Sequence, residues 1–176
     1  MQKIITTLPE IKLVGISTRT NNAHLFDTNV EINKVAATVQ KYFHNGLADK
    51  LYNRKNPGTT FCVYTNYESD ENEDFTYFIG EAVNNFDEVP KGFETLIIPM
   101  QNYAKFTSQA GPMPAVCIQM WKDIWQMSPA ILGGKRAYIA DFEVYDERSK
   151  DHNSTILDLY IGIIIEQSLP NIQTDF

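Results

Sequence analysis

Two stretches decide the fold: "VYTNYESDENEDFTYFIG" at residues 63–80 and "VYDERSKDHNSTILDLYIG" at 144–162. Tyr64 matches Tyr145 at an offset of 81 residues, and Gly80 matches Gly162 at 82, so one inserted loop residue reconciles them. Each stretch is a β-rich run, a polar turn and a second β-rich run, which is the signature of a hairpin. A repeat at this spacing implies a duplicated unit.

Working outward, each hairpin is preceded by a strand and a helix. "IKLVGISTRT" (11–20) reads as the first strand, followed by a polar turn. Thr28 and Glu31 have capping-box spacing, and Ile32, Val35, Ala36, Val39 and Phe43 repeat with helical period up to a stop at Gly46. "TFCVYTNY" and "FTYFIGEAV" then form the first hairpin, with the acidic run "ESDENED" (68–74) as a solvated tip. The turn-rich "NNFDEVPKG" (84–92) separates the halves. "FETLIIP" and "NYAKFTSQ" read as one strand interrupted near Pro99 or as two short ones. "AGPMP" opens a second helix over 115–127, which "SPAILGGK" ends, with its "GG" as a turn. "RAYIADFEVY" and "TILDLYIGII" form the second hairpin.

The predicted fold is therefore α+β: two βαββ units, 10–84 and 93–166, within a single domain spanning 1–176. Two such units, each with one bare sheet face, should pair about a pseudo-two-fold axis and leave a groove along it.

Composition narrows the function. The 176 residues carry a net charge of −7 and no basic run, which opposes direct nucleic-acid binding. No signal peptide is evident, and the longest apolar run, "YIGIII", is far too short to span a membrane. Cys62 and Cys117 read as buried free thiols, and a cytoplasmic location fits them. His24, His44 and His152 lack metal-ligand spacing, and no P-loop, nucleophile elbow or dinucleotide fingerprint is present, so no metal or cofactor is expected.

Two features point to a ligand. On the second helix Cys117, Met120, Trp121, Ile124 and Trp125 share one side, an apolar arc wider than a core-facing stripe requires. Either the extra flank packs on the partner half, or Trp121 or Trp125 offers its ring to a planar or cationic guest. In "RAYIADFEVY", alternation sets Tyr138, Ala140, Phe142 and Val144 on one face, and Ile139, Asp141, Glu143 and Tyr145 on the other. Glu143 is then either a solvent-face residue or the centre of a site. The repeat sets it opposite Cys62, so an acid has replaced a small buried residue in one copy.

The second half resembles the effector-binding domain of the AraC-type, Rob-like and GyrI-like proteins. The resemblance rests on Pro99, Tyr103 and Phe106; on Gly111 and Pro112; on Trp121; and on Phe142, Glu143 and Tyr145. "KLVGISTRT" is similar to that family's opening strand. The resemblance implies a duplicated βαββ (SHS2-like) fold in a standalone form, similar to members carried on integron cassettes. With the first strand at about residue 11, no room is expected for a preceding DNA-binding helix-turn-helix. It further implies a groove for amphipathic, often cationic and aromatic molecules, as in multidrug-binding effector domains. Glu143 would be the ligand-facing acid, lined by Trp121, Tyr103 and Tyr160, with Tyr145, Trp125, Tyr64 and Phe78 completing the aromatic wall. A binding protein is expected rather than an enzyme. The alternatives are a metal-independent hydrolase of electrophiles with Glu143 as general base, and a module that binds a protein partner such as a transcription regulator or a topoisomerase.

Overall fold

The computed structural model describes residues 1–24, 29 and 33–165. In chain order the elements are β1 (Gln2–Leu8), β2 (Ile11–Thr20), α1 (Lys34–His44), β3 (Thr60–Thr65), β4 (Phe75–Ala82), β5 (Glu94–Ile98), β6 (Gln101–Thr107), α2 (Ala115–Trp125), α3 (Pro129–Leu132), β7 (Lys135–Arg136), β8 (Ala140–Tyr145) and β9 (Asp158–Ile164). Among the described residues no helix is long and apolar enough to cross a membrane.

The strands form one antiparallel sheet in the order β1-β6-β9-β8-β3-β4-β2-β5, with β7 also paired to β9. This order is palindromic about the β8–β3 junction: β3 corresponds to β8, β4 to β9, β2 to β6 and β5 to β1. The register shows the same symmetry. Phe61 pairs with Val144 and Val63 with Phe142, while Cys62 pairs with Glu143. Since the repeat equates Cys62 with Glu143, the pseudo-two-fold axis passes between these two residues.

Two local expectations change, and the alternative left open at Pro99 is resolved. Gln2–Leu8, left unassigned from sequence, is an edge strand on β6. Pro99 separates two strands rather than interrupting one: β5 joins β2, and β6 lies at the far end of the sheet. Each half therefore gives its leading strand to the other half. Tyr138 has a φ of 52°, a left-handed conformation that splits the expected strand 136–145 into β7 and β8.

The repeated glycines have a steric cause. A Cβ on Gly80 would lie 2.2 Å from the Val14 carbonyl oxygen, and one on Gly162 would lie 2.8 Å from Gln101 Oε1. At Gly80 a side chain does not fit because β2 and β4 approach so closely, whereas at Gly162 the nearest atom belongs to the Gln101 side chain.

The capping-box residues Thr28 and Glu31, with Ile32, lie outside the described residues. α1 is capped by Asn33, whose side chain accepts from Ala36 N. The helix ends at His44, and Gly46 adopts the left-handed conformation two residues later. The "SPAILGGK" segment holds the short α3 before its turn, capped by Ser128 and closed by Gly133 at φ 100°.

Both long helices cover the same sheet face. α1 packs through Tyr42 with Cys62, Tyr77 and Ile79. α2 packs through Met120, Trp121 and Ile124 with Leu159, Ile161 and Ile163. The opposite face has no helix, yet Leu13, Val63, Phe78, Tyr103, Ala140 and Phe142 form a buried cluster there. Connectivity explains it. Only Pro9 and Glu10 join β1 to β2, although these strands lie at opposite ends of the sheet, so the ends come within about 11 Å of each other. The sheet curls until its uncovered face closes on itself.

Candidate functional site

Strand alternation sets Asp141, Glu143 and Tyr145 on the helix-covered face, beside Cys62 and Tyr64 of β3. Glu143 is 3% exposed. Its Oε1 accepts the Trp121 indole N–H at 2.6 Å and the Tyr64 hydroxyl at 2.9 Å. Its Oε2 accepts the Tyr145 hydroxyl at 2.7 Å. All three donors are neutral. The polar outer face considered from sequence is thus an inner face, because α2 lies across it.

Asp141, on the same face, is a useful contrast. It is fully buried, and its carboxylate accepts from Arg136 at 2.5 Å, Tyr67 at 2.7 Å and the Gly162 amide at 2.8 Å. The chain supplies Asp141 with a cation. Among the described residues, no ion pair reaches Glu143.

Burial first, and the Glu143 carboxylate second, push the Tyr64 and Tyr145 hydroxyls and the Cys62 and Cys117 thiols well up. At neutral pH these groups keep their protons, and the two tyrosines serve as fixed donors to the acid.

A groove between α1 and α2 opens on this floor in two lobes. The larger, about 600 Å³, has Cys62, Tyr64, Glu143 and Tyr145 beneath it and a polar mouth at Gln40, Lys150 and His152. The smaller, about 310 Å³, runs past Tyr64, Phe75, Trp121 and Trp125 towards Glu71 and Arg136. Val35 and Ala36 of α1, with Pro114, Cys117 and Ile118 at the start of α2, line both lobes. Such volumes suit a small organic molecule. Tyr64 is the centre of the aromatic wall: its ring lies 4.9 Å from Trp121, 5.4 Å from Tyr77 and 5.6 Å from Phe75. No group of three or more metal-ligating side chains is assembled among the described residues.

The structure thus gathers Glu143, Trp121, Trp125, Tyr64 and Tyr145 at one groove. The wide apolar arc of α2 is accounted for: Met120, Trp121 and Ile124 face the sheet, while Cys117, Ile118 and Trp125 face the groove. Tyr103, Tyr160 and Phe78 must be reassigned. They share the opposite face with Phe142, where Tyr160 stacks on Phe142 at 4.7 Å and Tyr103 meets both rings edge-on. They build the core and do not line the groove. Cys117, read as core, lines both lobes. Glu71, read as part of a solvated tip, and Arg136, which was not considered, close the smaller lobe. The α1 wall went unassigned because Val35 and Ala36 read as ordinary core positions.

The fold has known counterparts. A family model described as "integron-associated effector binding protein" matches residues 4–163. The chain belongs to that family. A Bacillus subtilis (strain 168) protein, YobU, named as a candidate transcriptional regulator, is 27% identical over 159 residues, covering 90% of this chain and 96% of its own. The integron cassette protein VCH_CASS2, from the mobile metagenome of Vibrio cholerae, superposes with a TM-score of 0.71 at 25% identity, covering 92% of this chain and 95% of that one. SAV2435, solved bound to tetraphenylphosphonium, superposes at 0.73 with 18% identity, covering 93% and 94%. The α+β fold expected from the repeat is the fold of these structures.

Proposed function

We propose that this effector-binding protein takes an amphipathic, aromatic organic cation into the groove between α1 and α2, with Glu143 as the counter-charge. One observation carries the proposal: a carboxylate 3% exposed, beneath an aromatic groove, held by three neutral donors. A buried charge without a counter-ion is costly, and a ligand cation would supply what Arg136 gives Asp141. The rings of Tyr64, Trp121 and Trp125 add cation–π attraction of about 0.5–2 kcal/mol each. Apolar burial contributes most of the affinity, at about 25 cal/mol per Å². The tetraphenylphosphonium held by SAV2435, a lipophilic cation, supports the same ligand class. A net charge of −7 opposes phosphate backbones, so a role in transcription would run through a protein partner.

A thermal-shift comparison of tetraphenylphosphonium with tetraphenylborate tests this, since the two share a shape and differ in the sign of charge. At a hundred times Kd the cation should raise the melting temperature by roughly 5–10 °C, and the borate should not. Equal shifts from both ions would discard charge selection, and no shift from any lipophilic cation would discard the binding proposal.

A further inference from the structure

The acidic tip of the β3–β4 hairpin reaches back across one end of the groove. Glu71 Oε2 accepts the Tyr138 hydroxyl and lies 3.5 Å from Arg136 Nη1, while the Glu71 carbonyl accepts from Asn22 Nδ2 at 2.5 Å. Arg136 is itself anchored by the buried Asp141, and its guanidinium lies over the Tyr138 ring at 4.4 Å. The positive φ of Tyr138 turns the chain at the point that meets the hairpin.

Beyond this latch is another cavity of about 290 Å³, bounded by Ile124, Met127 and Leu132 on its apolar side and by Lys135, Arg136 and Tyr138 on its polar side. It shares Glu71, Trp125 and Arg136 with the smaller lobe of the groove. Of these three wall residues, Arg136 is tied to the core and Trp125 belongs to α2. Glu71 sits at a hairpin tip, its side chain 31% exposed, and is the removable part. An apolar ligand tail that displaced it would also break the Arg136–Glu71 ion pair, beside a buried guanidinium whose Nε and Nη1 already lack hydrogen-bond partners. The latch is therefore firm while Glu71 is present.

We propose that Glu71 is the end stop of the ligand groove, a specificity-determining residue that limits the length of cation accepted. With this side chain shortened, the groove continues into the cavity beyond Trp125. The inference rests on the cation-binding proposal.

The test is a calorimetric titration of alkyltriphenylphosphonium ions of increasing n-alkyl length into wild type and Glu71→Ala. Each methylene that enters apolar space should tighten binding about fourfold, until the tail meets the stop and affinity levels. The readout is the chain length at which levelling occurs, which a uniform change in affinity does not move. In Glu71→Ala the levelling point should shift by several methylenes, whereas Glu71→Gln, which keeps the bulk and the Tyr138 bond, should level with wild type. Coincident levelling in wild type and Glu71→Ala would overturn the end stop and leave the cation site standing. Failure of every phosphonium to bind wild type would overturn both.

Discussion

Glu143→Gln isolates charge from shape. The amide is nearly isosteric with the carboxylate, and its oxygen can still accept from Trp121 and Tyr64. Its nitrogen would face the Tyr145 oxygen, whose proton can turn to Cys117 Sγ, 3.4 Å away. The groove keeps its volume and its hydrogen bonds and loses one negative charge. A ligand cation about 5 Å from that charge, at an effective dielectric constant near 20, gains about 3 kcal/mol from it. The substitution should therefore weaken tetraphenylphosphonium binding on the order of a hundredfold. A neutral analogue such as triphenylphosphine oxide should bind both proteins with similar affinity. Isothermal titration calorimetry of both ligands against both proteins gives the four constants, and their double difference is the charge term. A cation Kd that changes less than about fivefold, or that rises in parallel with that of the neutral ligand, would refute the reasoning. Because the acid is buried, added salt should screen the attraction only weakly.

Two further outcomes concern the scaffold. Burial pulls the Asp158 carboxyl up, but bonds from Thr107, Arg148 and Lys105 outweigh it and hold the group below the usual carboxylate range. That stabilisation is fully present above about pH 4 and is lost as pH falls through the lowered folded value. The stability gap between wild type and Asp158→Asn in urea titrations should therefore shrink on acidification, and a pH-independent gap would contradict it. Gly80→Ala should cost about 3 kcal/mol or more, lowering the melting temperature by roughly 6–12 °C, because its Cβ would meet the Val14 carbonyl oxygen at 2.2 Å. A variant melting within about 2 °C of wild type would show that the strands there can part.

The duplicated fold was legible because Tyr64 and Tyr145, and Gly80 and Gly162, keep their spacing under tight steric demands. The grouping of Glu143 with Asp141 and Tyr145 was legible because alternation within one strand is rigid. Alternation does not say which face the helices cover, and Tyr103, Tyr160 and Phe78 fell on the other one. The same aromatic composition suits a groove wall or a closed sheet interior, and only the curl of the sheet decides. β1 escaped notice because its pairing partner, β6, lies about a hundred residues away. Glu71 escaped notice because an acidic run looks solvated until Arg136 and Tyr138 are brought across from the other half. Nothing local in "RAYIADFEVY" announces the turn at Tyr138 that makes this contact.

The pairing of Cys62 with Glu143 across the symmetry axis has a further consequence. In a dimer of two identical single-unit chains, the residue at that position would face its own copy. A glutamate there would set two carboxylates against each other in a dry interior, where like charges cannot both ionise. Only a fused chain, whose halves mutate independently, can place one lone acid on the axis and a small neutral residue beside it. The charge that the proposed ligand site would recognise thus sits at a position where the two halves differ, Glu143 in one and Cys62 in the other.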